Sequence, residues 1–183
     1  MSKKIDQIVK VLRHGGVIIY PTEGVYGLGC DPFNETAVLR LLKIKGRQEK
    51  NKGLIIIAAN WEQVKKLIKM KVDKRRLNKI SDETPTTIVF PATNKTPSWI
   101  RGRFKSIAIR IAAHPLARNI CRQFGGPIVS TSANLTGQKP ARKFDQICKK
   151  VVAVADFVVR DRVGNLKKPT RIVDVKTGKI IRS

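Results

Sequence analysis

The chain has 183 residues, with 38 Lys and Arg against 13 Asp and Glu and a formal net charge of +25. That length suits one compact domain over 1–183, and 42% hydrophobic residues supply a core, which excludes wholesale disorder. No apolar run approaches the ~18 residues that span a bilayer, and the start Met1-Ser2-Lys3-Lys4-Ile5-Asp6 turns polar too soon for a signal peptide. In chain order, Ile5, Ile8, Val9 and Leu12 recur at helical spacing, with Gly15-Gly16 as a stop. Val17-Ile18-Ile19-Tyr20, closed by Pro21, predicts a buried strand, and Asn34 can cap a second helix through Ile44. Leu54 to Ala59 predicts a strand and Trp61 to Ile68 a helix. Further strands are predicted at Thr86 to Phe90, Ile107 to Ile111 and Pro127 to Ser130, with a helix from Pro115 to Phe124 between the last two. Phe157-Val158-Val159 and Arg171 to Val175 complete the set. Strands alternating with helices predict an α/β domain with mixed connections.

Cysteine usage and phosphate-binding signatures narrow the function. Cys30, Cys121 and Cys148 are isolated and odd in number, so neither a disulfide framework nor a zinc ribbon is expected. No Gly-x-Gly-x-x-Gly falls in the right place and no Gly-x-x-x-x-Gly-Lys-Ser/Thr occurs, which removes the usual dinucleotide and P-loop readings. A soluble cytoplasmic domain is expected. The charge attracts polyanions, yet 23 of the 38 cations are Lys, the ordinary surface filler, and aromatics are only 5%, too few for base stacking. A nucleic-acid surface and a lysine-rich solvated face both fit.

Three segments stand out; the first and third place polar or glycine-rich sequence directly after a predicted buried strand, where ligands collect in open α/β sheets, and the second follows the second helix. The first runs from Pro21-Thr22-Glu23-Gly24 to Gly27-Leu28-Gly29-Cys30-Asp31; its glycines let backbone approach a ligand, and Thr22 supplies a hydroxyl. The second is Lys45-Gly46-Arg47, an ammonium and a forked guanidinium two residues apart, suited to a triphosphate if extended. The third, Ser130-Thr131-Ser132-Ala133-Asn134-Leu135-Thr136-Gly137, offers four hydroxyls and an amide within seven residues. Singly, these read more readily as a turn loop, a solvated pair and a cap.

Taken in this order, Pro-Thr-Glu-x-x-Tyr-Gly-Leu-Gly-Cys, Lys-x-Arg and Ser-Thr-Ser-Ala-Asn-x-x-Gly resemble the YrdC-domain family in its short bacterial form. The resemblance runs from the first helix to Pro169-Thr170-Arg171-Ile172-Val173-Asp174. It implies a single-domain α/β fold, a twisted mixed sheet flanked by helices with a basic concave face. It implies an enzyme of tRNA modification that combines L-threonine, bicarbonate and ATP into L-threonylcarbamoyl-adenylate and pyrophosphate. Other proteins would then transfer the threonylcarbamoyl group to adenosine 37 of tRNA. Lys45 and Arg47 would hold the ATP phosphates and act as the catalytic cations, with Ser132 and Asn134 completing the ATP set. Thr22, Thr131 and Arg110 would bind threonine, Arg110 through its carboxylate unless it is an edge-strand charge in water. His114 would line the same pocket or cap a turn, and Glu23 would be a supporting carboxylate at most. Mg²⁺ would accompany ATP, with no protein metal site. The sequence departs from the family pattern at Gln48, where Pro is usual, and at Ser81-Asp82-Glu83-Thr84-Pro85. Its end at Ser183 leads us to expect none of the extra domains of longer relatives. A rival reading is a non-catalytic RNA-binding module, which would have no need to keep Lys45, Arg47, Ser132 and Asn134 together. A carbamoyl-transfer relative is disfavoured by the expected lack of accessory domains.

Overall fold

The computed structural model describes residues 2–46, 53–71, 73, 75, 77, 80, 84–167 and 169–182. Helix α1 (Ser2–Arg13) turns Ile5, Ile8, Val9 and Leu12 inward, and Lys10 and Arg13 in its last turn complement the helix dipole. Strands β1 (Ile18–Pro21) and β2 (Tyr26–Gly29) follow as an antiparallel pair. Helix α2 (Glu35–Ile44) starts on Asn34, whose side chain accepts the Ala37 amide as expected of a cap. Then come β3 (Ile55–Ala58), β4 (Thr86–Pro91), the short α3 (Ser98–Arg101) and β5 (Ser106–Ile111). Helix α4 (Pro115–Phe124) opens on Pro115 and closes on Gly125 at φ 83°, a left-handed end that glycine adopts without strain. Short strands β6 (Ile128–Val129) and β7 (Thr131–Ser132), helix α5 (Lys149–Ala153), β8 (Phe157–Val158), β9 (Arg171–Asp174) and β10 (Ile180–Arg182) finish the chain.

The expected mixed sheet is divided in two. One sheet runs β7-β2-β1-β8 and the other β10-β9-β4-β5-β3-β6. Three pairs, β1 with β8, β3 with β5 and β4 with β9, are parallel, and the others are antiparallel. The apolar runs at β1 and β3 reflect burial on both faces. Ile19, Ile56 and Ala58 enter a large core with α2, β4 and β5, whereas Ile18, Tyr20, Ile57 and Ala59 enter a second core beneath α1 and α4.

Two expectations change. Trp61 to Ile68 is not a regular helix: only a 3₁₀ turn, Trp61–Gln63, forms, and Ile68 instead bridges Ala92. Tertiary partners take the groups that a helix would have used. The Leu67 carbonyl accepts from the Thr93 amide at 2.9 Å and the Thr96 hydroxyl at 2.8 Å, while the Lys69 amide donates to Pro91 at 2.8 Å. The glycine-rich stretch expected as a loop contains β2, paired with β1 on one side and β7 on the other.

A strap of residues 161–166 crosses the 22–25 loop. The Tyr26 hydroxyl donates to the Asp161 carbonyl, the Gly164 amide to Thr22 O at 2.9 Å, and the Leu166 amide to Glu23 O at 2.9 Å. The backbones approach so closely that a Cβ on Gly164 would lie 2.5 Å from Glu23 O, and one on Gly24 2.5 Å from Leu166 O. At the other edge, Asp156 accepts the Val17 amide at 2.7 Å and is gripped by Arg40 at 2.6 and 3.0 Å. Burial pushes the Asp156 carboxyl up, but the Arg40 and Val17 donors outweigh it and hold it below its ordinary 3.8.

Gly164→Ala should cost about 1–3 kcal/mol by forcing strap and loop apart, read as a melting temperature lowered by roughly 2–10 °C. Asp156→Ala should cost about 1–2 kcal/mol at neutral pH, a figure held down by solvent screening of its half-exposed partner. A carboxylate with a depressed folded pKa stabilises above its ordinary value and ceases to do so as the pH falls through the folded value. Denaturant titrations should therefore show wild type and Asp156→Ala converging below about pH 4.

Candidate functional site

A cleft of about 540 Å³ opens between the 22–25 loop with β7 on one side and the face of β5, β9 and β10 on the other. Alternation along β5 puts Ser106, Ala108 and Arg110 on that face, which Thr170 and Ile172 extend. Thr22, Glu23, Ser130, Thr131 and Ser132 line the opposite wall. Of the residues expected from sequence, Thr22, Arg110, Thr131 and Ser132 therefore meet at one cavity.

Each arrives by a local cause. Thr22 closes the turn after β1, its hydroxyl donating to Val25 O at 2.7 Å, so only its lone pairs remain for a ligand. Thr131 and Ser132 pair with Leu28 and Gly27 across β2 and are half-buried. Ser130, just before them, accepts the Tyr20 hydroxyl at 2.9 Å; burial pushes that phenol well up, so it stays a neutral donor. Arg110 is not an edge-strand charge in water: β5 lies between β4 and β3, and the side chain is 8% exposed. Its Nη2 stands 3.1 Å from Glu23 Oε2, and Nη1 donates to the Thr170 hydroxyl at 3.2 Å. Thr170 in turn shares a hydrogen bond of 3.1 Å with Thr87.

Glu23 is more firmly held than sequence suggested. Its Oε1 accepts the Ala113 amide at 2.9 Å and the His114 amide at 3.4 Å. Burial pushes the carboxyl up, and Arg110 together with the backbone amides reverses this and leaves it below its ordinary 4.5. Arg182, for which no motif gave a signal, lines the cleft with Nη2 on Thr170 O at 2.8 Å. Burial and then the Arg110 charge push its guanidinium below the usual value. Thr170 had a signal, since Pro169-Thr170 belongs to the motif set, but nothing in the chain hinted at its partner.

Lys45 and Asn134 stand behind the wall instead of lining the cleft. Lys45 is 1% exposed and donates from Nζ to Ser132 O at 2.5 Å and Asn134 O at 2.8 Å. Its own carbonyl accepts the amide and hydroxyl of Thr136, so it clasps the 131–136 segment. Asn134 donates to Leu135 O and Gln138 O at 2.8 and 2.7 Å, leaving Oδ1 buried without a partner. As placed, it offers an acceptor. His114 begins α4 with its ring on Arg162 O at 3.2 Å, outside the cleft lining. Arg47 lies outside the described residues, as do Gln48 and 81–83. Among the described residues no group of three or more His, Cys, Asp or Glu could hold a metal ion, and no helix is long and apolar enough to cross a membrane.

The family model Sua5_yciO_yrdC, described as "Telomere recombination", matches residues 10–183. The chain is 45% identical over 183 residues to a threonylcarbamoyl-AMP synthase of Coxiella burnetii (strain RSA 493 / Nine Mile phase I), covering 99% of this chain and 97% of that one. It is 45% identical over 185 residues to the threonylcarbamoyl-AMP synthase of Escherichia coli (strain K12), covering 97% and 94%. The crystal structure of P. abyssi Sua5 complexed with L-threonine superposes with a TM-score of 0.88 at 26% identity, covering 98% of this chain and 53% of that one. This chain thus spans about half the length of that Sua5 chain. With the match extending over nearly its whole length, the chain belongs to the Sua5_yciO_yrdC family.

Proposed function

We propose that this chain is a threonylcarbamoyl-AMP synthase, one YrdC-like domain over 1–183 that works in the cytoplasm on the path to threonylcarbamoyladenosine in tRNA. The observation that carries the reading is the convergence of Thr22, Arg110, Thr131 and Ser132, from three separated segments, on one cleft. The near full-length identity to proteins of that name supports it.

The chemistry asks for such a cleft. The threonine amine attacks the bicarbonate carbon, and loss of water leaves a carbamate. A carbamate oxygen then attacks the α-phosphorus of ATP, and pyrophosphate leaves. The reactants are anionic or carry a carboxylate, so catalysis consists mainly of bringing them together and neutralising their charge. In this scheme Arg110 takes the threonine carboxylate, and Thr22 and Thr131 take its hydroxyl or amine. Lys45, Arg47 and Ser132 serve the ATP phosphates. Lys45 would release one loop carbonyl to touch a phosphate directly; otherwise it lends its charge from behind the Ser132–Asn134 wall. Asn134, with a free acceptor, suits an N–H of the nucleotide better than a phosphate oxygen. Mg²⁺ would arrive on the ATP. Threonylcarbamoyl-transfer proteins would consume the product, and tRNA itself is a further candidate partner through a basic concave face.

Purified protein should release pyrophosphate from ATP only when threonine and bicarbonate are both supplied, measured by a coupled phosphate assay. Release that ignores omission of threonine would sink the assignment and favour the RNA-binding reading. Lys45→Ala and Arg47→Ala should each lower kcat/KM by about 1.5–3 kcal/mol, roughly 10- to 150-fold, the cost of a charge-assisted contact. Unchanged rates in either variant remove that residue from the site.

A further inference from the structure

Building on the synthase reading, we infer that Glu23 is a positioning residue: it holds the Arg110 guanidinium in the orientation from which Arg110 takes the threonine carboxylate. A long arginine stem loses considerable rotamer freedom when it binds an anion unless something has already fixed it. Glu23 is held through its backbone carbonyl and one carboxylate oxygen. Its backbone carbonyl accepts the Leu166 amide, the preceding Thr22 carbonyl accepts the Gly164 amide, and its Oε1 accepts the Ala113 and His114 amides. Strap and loop pass so closely at Gly24 and Gly164 that neither position has room for a Cβ.

The division of labour between the carboxylate oxygens matters. With Oε1 given to backbone amides, only Oε2 faces Arg110, at 3.1 Å from Nη2. A forked, two-oxygen pairing that would exhaust the guanidinium is therefore not formed. Oε2 and Arg110 Nε are both buried without a hydrogen-bond partner, so the pair retains unused capacity on each side. Thr170 steadies Nη1 at 3.2 Å from the β9 side. A guanidinium anchored by one oxygen and one hydroxyl, with donors to spare, is prepared for a second carboxylate. The cleft stays attractive to anions because Arg182 stands with Arg110 against the one carboxylate.

Glu23→Gln tests this, since its side-chain oxygen can still accept the Ala113 and His114 amides while the negative charge that faces Arg110 is lost. L-threonine and ATP would each be titrated calorimetrically into the full chain and its variants. The threonine Kd should rise roughly 10- to 100-fold while the ATP Kd stays within about twofold. On an Arg110→Gln background, Glu23→Gln should add less than about twofold, because Glu23 acts through Arg110. Should Glu23→Gln fail to fold, Glu23→Asp keeps the charge but withdraws the oxygen from Arg110, and the same threonine-selective loss is expected. Parallel weakening of both ligands, additive effects in the double variant, or unchanged threonine affinity would overturn the inference while leaving the synthase reading intact. Wild-type protein that binds no threonine overturns that reading and this inference with it.

Discussion

A buried glutamate and a buried arginine coexist in this interior because each is held by more than the other. Removing either charge from water costs several kcal/mol, and Coulomb attraction alone seldom repays it. Here the deficit is met by backbone amides on Glu23 and a hydroxyl on Arg110, charge-assisted bonds that are the stronger kind. The consequence is architectural. Glu23 comes from the turn after β1, Arg110 from β5, the amides from the entry to α4, and Thr170 from the entry to β9. One buried pair thus ties elements of both sheets and the strap to a common point, and the cleft is the space left beside it.

Lys45 meets a similar problem with backbone carbonyls. Its ammonium, at the end of α2, sits on the carbonyls of Ser132 and Asn134, and its own carbonyl holds Thr136. The wall that presents Thr131 and Ser132 to the cleft is thereby backed by positive charge. Among the described residues, a cation behind the wall and two on the facing side outnumber the Glu23 carboxylate at the cavity.

Much of the fold was legible because the core strands announce themselves. Val17-Ile18-Ile19-Tyr20 and Leu54 to Ala59 read as buried strands since they are covered on both faces, and Pro115 with Gly125 bracketed α4. What could not be read depended on partners distant in sequence. Ile68 pairs with Ala92 and the Leu67 carbonyl is taken by Thr93, so a segment with helical spacing became turns. β2 hid among glycines because its strand character comes from β1 and β7 flanking it, not from side chains with strand preference. The same applies to the site. Thr22, Thr131 and Ser132 stood out as hydroxyls after strands, but Lys45 turned out to face the protein. Glu23 gained its importance only from an arginine 87 positions along the chain.

A negative side chain in a site for anionic reactants looks counterproductive, yet the balance of charges favours it. An unpaired Arg110 at this depth would be destabilising enough to pull water in or to swing outward, and neither state is ready to bind. Glu23 stores the cation dry and oriented. Because one of its oxygens is committed to the amides of Ala113 and His114, it cannot saturate the guanidinium it stores. In the proposed binding mode an incoming carboxylate would meet donors already aimed and already stripped of water, with Arg182 beside them to keep the local charge positive. The partial pairing, not the presence of the cation alone, is what reconciles burial with recognition.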